Sequence, residues 1–153
     1  MRSSETVTRS EEETERLGAS IAATLSGDDV VYLIGDLGAG KTALARGLAR
    51  GLGAPSREVA SPTFALLHEY AGEGGAIVLR HLDLYRLADD PGELAVLGLP
   101  DSARGAPVCV EWPGEAIRRL LPPTVEIVLE TVAGDARRIR VTRPGEQALR
   151  TPG

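Results

Sequence analysis

Residues 30–53, VVYLIGDLGAGKTALARGLARGLG, constrain the fold more than any other part of the chain. Val30, Val31, Tyr32, Leu33 and Ile34 form a continuous apolar run rich in β-branched residues, the pattern of a strand buried on both faces. Residues 42–52 carry Leu44, Leu48 and Leu52 on one stripe and stop before Gly53 and Pro55, the pattern of a helix. Between the two lies Gly35-Asp36-Leu37-Gly38-Ala39-Gly40-Lys41-Thr42, a complete match to G-x-x-x-x-G-K-[ST]. Lys41 is the only lysine; the other sixteen strongly basic residues are arginines.

Each residue type in that loop answers a chemical need. Glycines let the backbone turn successive N–H groups inward around phosphate oxygens. The helix that follows points its positive N-terminus at the same oxygens. Lysine places a compact charge on a flexible stem, where the broad arginine fork fits less well. A threonine at the next position can put its hydroxyl on Mg²⁺. A glycine-rich turn that merely precedes a helix accounts for the glycines alone. It does not account for the full match between a strand and a helix.

The rest of the chain supports an α/β reading. Ser10-Glu11-Glu12-Glu13 has the spacing of a capping box, and Leu17, Ile21 and Leu25 recur at four-residue intervals, so a helix is expected over residues 11–25. Residues 65–70 and 76–84 read as a hairpin joined by AGEGG, and residues 125–132 and 137–142 as a second around Gly134-Asp135. Residues 107–112 read as a buried strand, 93–97 as a short helix, and 114–121 as a helix ended by Pro122-Pro123. Strands and helices alternate along the chain, which points to a sheet covered by helices.

With 153 residues, 42% of them hydrophobic, a single domain over residues 1–143 is expected, with a frayed tail at 144–153. One cysteine, Cys109, rules out an intramolecular disulfide and suits a reducing cytoplasm. Neither a secretory signal nor a membrane-spanning run is expected. The formal charge of −5 argues against a protein that grips nucleic acid alone.

Phosphoryl chemistry also needs a carboxylate at a strand end to hold the metal, and Asp83 and Glu111 are the candidates; either is otherwise a solvated acid at a strand end. Alternation puts Ile77, Leu79, His81 and Asp83 on one strand face. The continuous apolar run before Glu111 suits a strand beside that of the phosphate loop. Glu111 is therefore expected to hold Mg²⁺ together with Thr42, and Asp83 to position the attacking water or a switch. Ser61-Pro62-Thr63-Phe64 follows the helix where such a switch often lies, but Ser-Pro-Thr also makes an ordinary turn. Trp112 either fills the core or covers a ligand site. His68 and His81 lack metal-ligand spacing and read as structural or partly exposed, and Cys109 as an inert buried thiol.

In that order and at these intervals, GDLGAGKT, SPTF, HLDLYRL, LGL and VEWP resemble the TsaE (YjeE) family of bacterial ATPases over roughly residues 10–142. The resemblance implies a P-loop NTPase-like three-layer α/β fold, with a mostly parallel central sheet and antiparallel hairpin strands. It implies Mg²⁺-dependent binding and slow hydrolysis of ATP, and a role in making threonylcarbamoyladenosine in tRNA. The TsaB–TsaD heterodimer is the implied partner, engaged through TsaD, with tRNA met only indirectly. Carried onto this chain, it makes Gly38, Ala39, Gly40, Lys41, Thr42 and Ala43 the phosphate cradle. Thr42, Glu111 and Asp83 become the metal-side residues, Thr63 part of the switch, and Trp112 a functional residue beside the site. Residues 11–14 and either Arg137 or Arg138 would lie near the base or sugar. Three other readings share the loop: a small-molecule kinase, which needs an arginine-bearing lid; a GTPase, which needs Asn-Lys-x-Asp; and a nucleotide-gated binding module. A chain with one lysine has none for the GTPase motif.

Overall fold

The apolar run at Val30–Ile34 is the central strand of the molecule. The computed structural model describes residues 2–36, 38–55, 67–84 and 105–143. In chain order the elements are β1 (Arg2–Thr8), α1 (Glu11–Ala22), β2 (Val30–Ile34), α2 (Lys41–Gly51), β3 (Leu67–Ala71), β4 (Ile77–Asp83), β5 (Val108–Glu111), α3 (Glu115–Leu120), β6 (Val125–Ala133) and β7 (Ala136–Arg143). The strands form one sheet in the order β1-β7-β6-β2-β5-β4-β3. Strands β6, β2, β5 and β4 run parallel, while β7 is antiparallel to β6 and β1, and β3 to β4. This is the mixed sheet expected, a parallel centre flanked by hairpins. The helix expected at 93–97 lies outside the described residues.

Burial on both faces explains why β2 reads as unbroken hydrophobic sequence. Val31 and Leu33 pack with Ile21 of α1 and Leu44 and Leu48 of α2. Val30 and Tyr32 pack on the opposite face with Ile117 of α3 and with Leu121. The Tyr32 hydroxyl donates to the Leu121 carbonyl at 2.6 Å. Burial pushes this phenol up to about 12, with the Arg118 guanidinium opposing, so it stays a donor. Cys109 is fully buried in β5, and burial, followed by the Glu111 carboxylate, raises its thiol well above the ordinary range.

Two departures from the sequence reading have simple causes. The first helix ends at Ala22 instead of running to residue 25. There the Thr24 hydroxyl donates to the Ile21 carbonyl at 2.7 Å, a local bond that competes with helix continuation, while Leu25 still reaches the core from the turn. The strand β1 was not expected at all. Its sequence, RSSETVT, has one large apolar residue, because an edge strand held by backbone pairing to β7 needs no buried stripe. The N-cap itself is as the spacing predicts: Glu13 N–H donates to Ser10 Oγ at 3.1 Å, and the Glu13 carboxylate accepts from Arg9 N–H at 3.0 Å.

Helices α1 and α2 approach closely because glycines face the contact. A Cβ on Gly47 would lie 1.9 Å from the Glu15 carbonyl oxygen, and one on Gly18 would lie 2.4 Å from that of Leu44. Arg50 pairs with the Glu15 carboxylate at the rim and holds it below the ordinary range. Among the described residues no helix is long and apolar enough to cross a membrane. Gly47→Ala is expected to destabilise the protein by about 3 kcal/mol or more, although helix propensity alone favours alanine by about 1 kcal/mol. Urea unfolding checks the sign.

Candidate functional site

The phosphate-loop sequence turns sharply out of β2 into α2. Gly38 and Gly40 take φ of +81° and +102°, values open to glycine at little cost. Gly40 is the N-cap of α2 and offers no capping side chain, so α2 begins without the hydroxyl or carboxylate that closes most helix N-termini. Lys41 stands in the first turn and is only 5% exposed. Its ammonium donates to the Gly35 carbonyl at 2.5 Å and lies 3.5 Å from the centroid of the Trp112 ring. Burial pushes the ammonium below the ordinary lysine range, and the Glu111, Asp83 and Asp36 carboxylates oppose that shift.

Strand pairing brings the two acids together. In the parallel β4–β5 pair Asp83 stands opposite Glu111, and Glu111 stands opposite Leu33 of β2. Both acids lie at the carboxyl ends of their strands, on the face that Leu79 and Cys109 turn toward α1 and α2. Glu111 is 7% exposed, and its Oε2 lies 2.5 Å from His81 Nε2. The next residue, Trp112, has φ of +60°, the one left-handed non-glycine among the described residues. Such backbone costs on the order of 1–3 kcal/mol and persists only where surroundings demand it. Here it places the half-buried indole over Lys41 and at the site, so Trp112 is not a core residue.

Loop, acids and indole line one open cleft of about 430 Å³. Gly38, Gly40, Lys41, Thr42, Ala43, Asp83, Glu111 and Trp112 make one side. Glu11 and Thr14 of α1, Asp135 of the β6–β7 turn and Arg137 complete the lining. Of the two arginines suggested by resemblance, Arg137 is the one in the cleft, since β7 turns alternate residues to opposite faces. Arg137 donates to the Gly38 carbonyl at 3.1 Å and to those of Gly134 and Ala136 at 2.7 and 3.1 Å, fastening the hairpin to the loop. Ala39 differs from its neighbours: its side chain is buried beneath the loop and its N–H donates to the Asp36 carbonyl at 3.1 Å. Thr63 lies outside the described residues.

Glu11 and Thr14 come from the 11–14 segment that the resemblance placed near the base or sugar, whereas Asp135 carries no signal that singles it out in the sequence and only the folding of the hairpin toward the loop brings it in. Among the described residues no three His, Cys, Asp or Glu side chains are grouped as a metal site. Magnesium is ordinarily held by one or two carboxylates with phosphates and waters, and the set Thr42, Asp83 and Glu111 beside a phosphate loop fits that mode.

A glycine-rich loop opening a helix, faced by strand-end carboxylates at the carboxyl edge of a parallel sheet, defines a P-loop-type nucleotide-binding protein. The comparisons narrow this. The family model described as "Threonylcarbamoyl adenosine biosynthesis protein TsaE" matches residues 8–139. A tRNA threonylcarbamoyladenosine biosynthesis protein TsaE from Rickettsia bellii is 38% identical, covering 93% of this chain and 96% of its own. The protein of that name from Treponema pallidum is 42% identical, covering 88% and 97%. The crystal structure of Bacillus subtilis YdiB superposes with a TM-score of 0.71 at 32% identity, covering 95% of this chain and 88% of the other. The chain belongs to the TsaE family.

The hydroxyls of Thr8 and Thr14 share a buried hydrogen bond of 2.7 Å behind the cleft wall. Thr14→Val strands the Thr8 hydroxyl and is expected to cost about 1–3 kcal/mol, whereas Thr8→Val with Thr14→Val removes both polar groups and costs less than the single change. Denaturant unfolding of both variants checks this reversal.

Proposed function

We propose that the chain is a Mg²⁺-dependent ATP-binding and ATP-hydrolysing protein, with a P-loop NTPase-like fold, that acts with the TsaB–TsaD heterodimer in tRNA threonylcarbamoyladenosine biosynthesis. One observation carries the chemical part: Lys41 and Thr42 open α2 in the same cleft as Asp83 and Glu111. Family membership and the printed function of the relatives support the biological part.

In this reading the N–H groups at the start of α2 and the Lys41 ammonium receive the β- and γ-phosphates. Thr42 and Glu111, with Asp83 at hand, are the residues that would hold Mg²⁺, whose charge offsets that gathering on the phosphate oxygens. Asp83 orients the water that attacks the γ-phosphorus; the bond to the β–γ bridging oxygen breaks, releasing ADP and phosphate. Glu11, Thr14, Asp135 and Arg137 face the sugar and base. ATP is favoured over GTP because no Asn-Lys-x-Asp segment exists to read guanine. The acidic balance of the chain leaves tRNA contact to the partners, with TsaD the direct neighbour.

Lys41→Ala is expected to lower ATP hydrolysis by at least about 100-fold and to abolish support of tRNA modification in a reconstituted reaction, with unchanged circular dichroism. Near-normal turnover by a folded Lys41→Ala protein contradicts the phosphate-cradle assignment. The acids separate in a second assay. Glu111→Gln is expected to raise the Mg²⁺ needed for ATP binding, and Asp83→Asn to spare binding while depressing hydrolysis. The opposite pattern reverses the two roles.

A further inference from the structure

We infer that His81 is a positioning residue for this cleft: through one hydrogen bond it commits a single oxygen of Glu111 to the protein and leaves the other for the metal and phosphate side. The inference rests on the reading of Glu111 given above and extends it to a histidine that the sequence alone reads as structural or partly exposed.

The geometry is specific. His81 Nε2 and Glu111 Oε2 are 2.5 Å apart, with side chains only 13% and 9% exposed. A carboxylate accepts and cannot donate, so Nε2 carries the proton and the bond fixes the imidazole tautomer. The register shows how the two residues meet. His81 stands opposite Cys109 in β5, one step before the Asp83–Glu111 pair on the same face. A small residue at that position leaves room for the imidazole to lean along the strands toward Glu111. On the other side His68 of β3 stands opposite His81, their rings 6.1 Å apart and tilted by 56°.

The bond also answers a need that Lys41 does not meet in every state. A buried carboxylate requires a lasting partner. Lys41 adds favourable charge to Glu111 while its ammonium rests on Gly35 and Trp112, but phosphate draws that ammonium away. His81 is not among the residues that line the cleft, so its bond to Glu111 is not one that an arriving phosphate displaces. Partners of this kind orient ligating groups, and their loss costs about 10–100-fold in metal affinity or activity.

The test is calorimetric titration of Mg²⁺ into the full chain with saturating ATP, repeated for ATP in EDTA. His81→Leu is expected to raise the half-saturating Mg²⁺ concentration by about 10–100-fold, while metal-free ATP binding changes little and the thermal midpoint falls as the buried Glu111 carboxylate loses its partner. His81→Gln, whose amide N–H reaches the Nε2 position, is expected to restore most of the response. In a Glu111→Gln background, His81→Leu is expected to add nothing. If His81→Leu fails to fold, His81→Asn, whose shorter amide does not reach Glu111, replaces it in the comparison. Equal losses in the Leu and Gln variants, or equal losses with and without Mg²⁺, reduce His81 to a packing role and overturn the inference. A normal Mg²⁺ response in Glu111→Gln alone overturns the metal-side reading of Glu111 itself, a failure distinct from a normal response in His81→Leu alone.

Discussion

An ammonium group buried at the positive end of a helix is the constraint around which this molecule is arranged. Lys41 is taken out of water, which disfavours its charge. It also sits in the first turn of α2, where the helix dipole favours anions over cations. Both effects oppose what is found there. The compensation is visible: the Gly35 carbonyl, the face of Trp112, and the field of Glu111, Asp83 and Asp36. The strand-end acids thus have a duty before any metal arrives, since their field opposes the downward shift that burial imposes on the ammonium. Trp112 has a comparable one, and its left-handed backbone is intelligible as the turn that lays an indole over the ammonium. Local rules are broken here, as expected of a functional site.

Parallel pairing makes this economy possible. Strands β2, β5 and β4 lie side by side and end at one edge of the sheet. The loop after β2, the last residue of β5 and the last residue of β4 therefore meet at that edge. The glycine contacts between α1 and α2 then set the far wall. They bring α1 close enough to α2 for its first turn, with Glu11 and Thr14, to face the loop. The Arg137 bond to Gly38 ties the β6–β7 hairpin to the same loop from another direction.

The parts legible in the sequence were those where burial writes an unambiguous pattern. Strands β2 and β5 read as apolar runs because both faces are covered, and the continuity before Glu111 pointed rightly to a position next to β2. The two hairpins and the capping box were equally clear from turn and cap chemistry. Strand β1 was silent because an edge strand is held by its backbone. Trp112 was ambiguous because an aromatic residue after a buried strand suits a core as well as a cleft, and only its φ decides. His81 read as a structural histidine, since nothing in one sequence shows that a residue on β4 touches the end of β5. The choice between Arg137 and Arg138 likewise depended on the phase of β7, which sequence alone left open.

Because Lys41 is the only lysine, its environment can be watched without assignment. Protein grown on lysine labelled with carbon-13 at the ε position gives one side-chain resonance. With the ammonium 3.5 Å from the indole centroid, the εCH₂ signal is expected upfield of free lysine through the ring current. It is expected to move back toward the free-lysine position when Mg²⁺ and ATP are added, as the ammonium leaves the ring for phosphate. A signal that starts at the free-lysine position, or one unmoved by saturating Mg²⁺ and ATP, contradicts the claim that this lysine is held in reserve for a nucleotide.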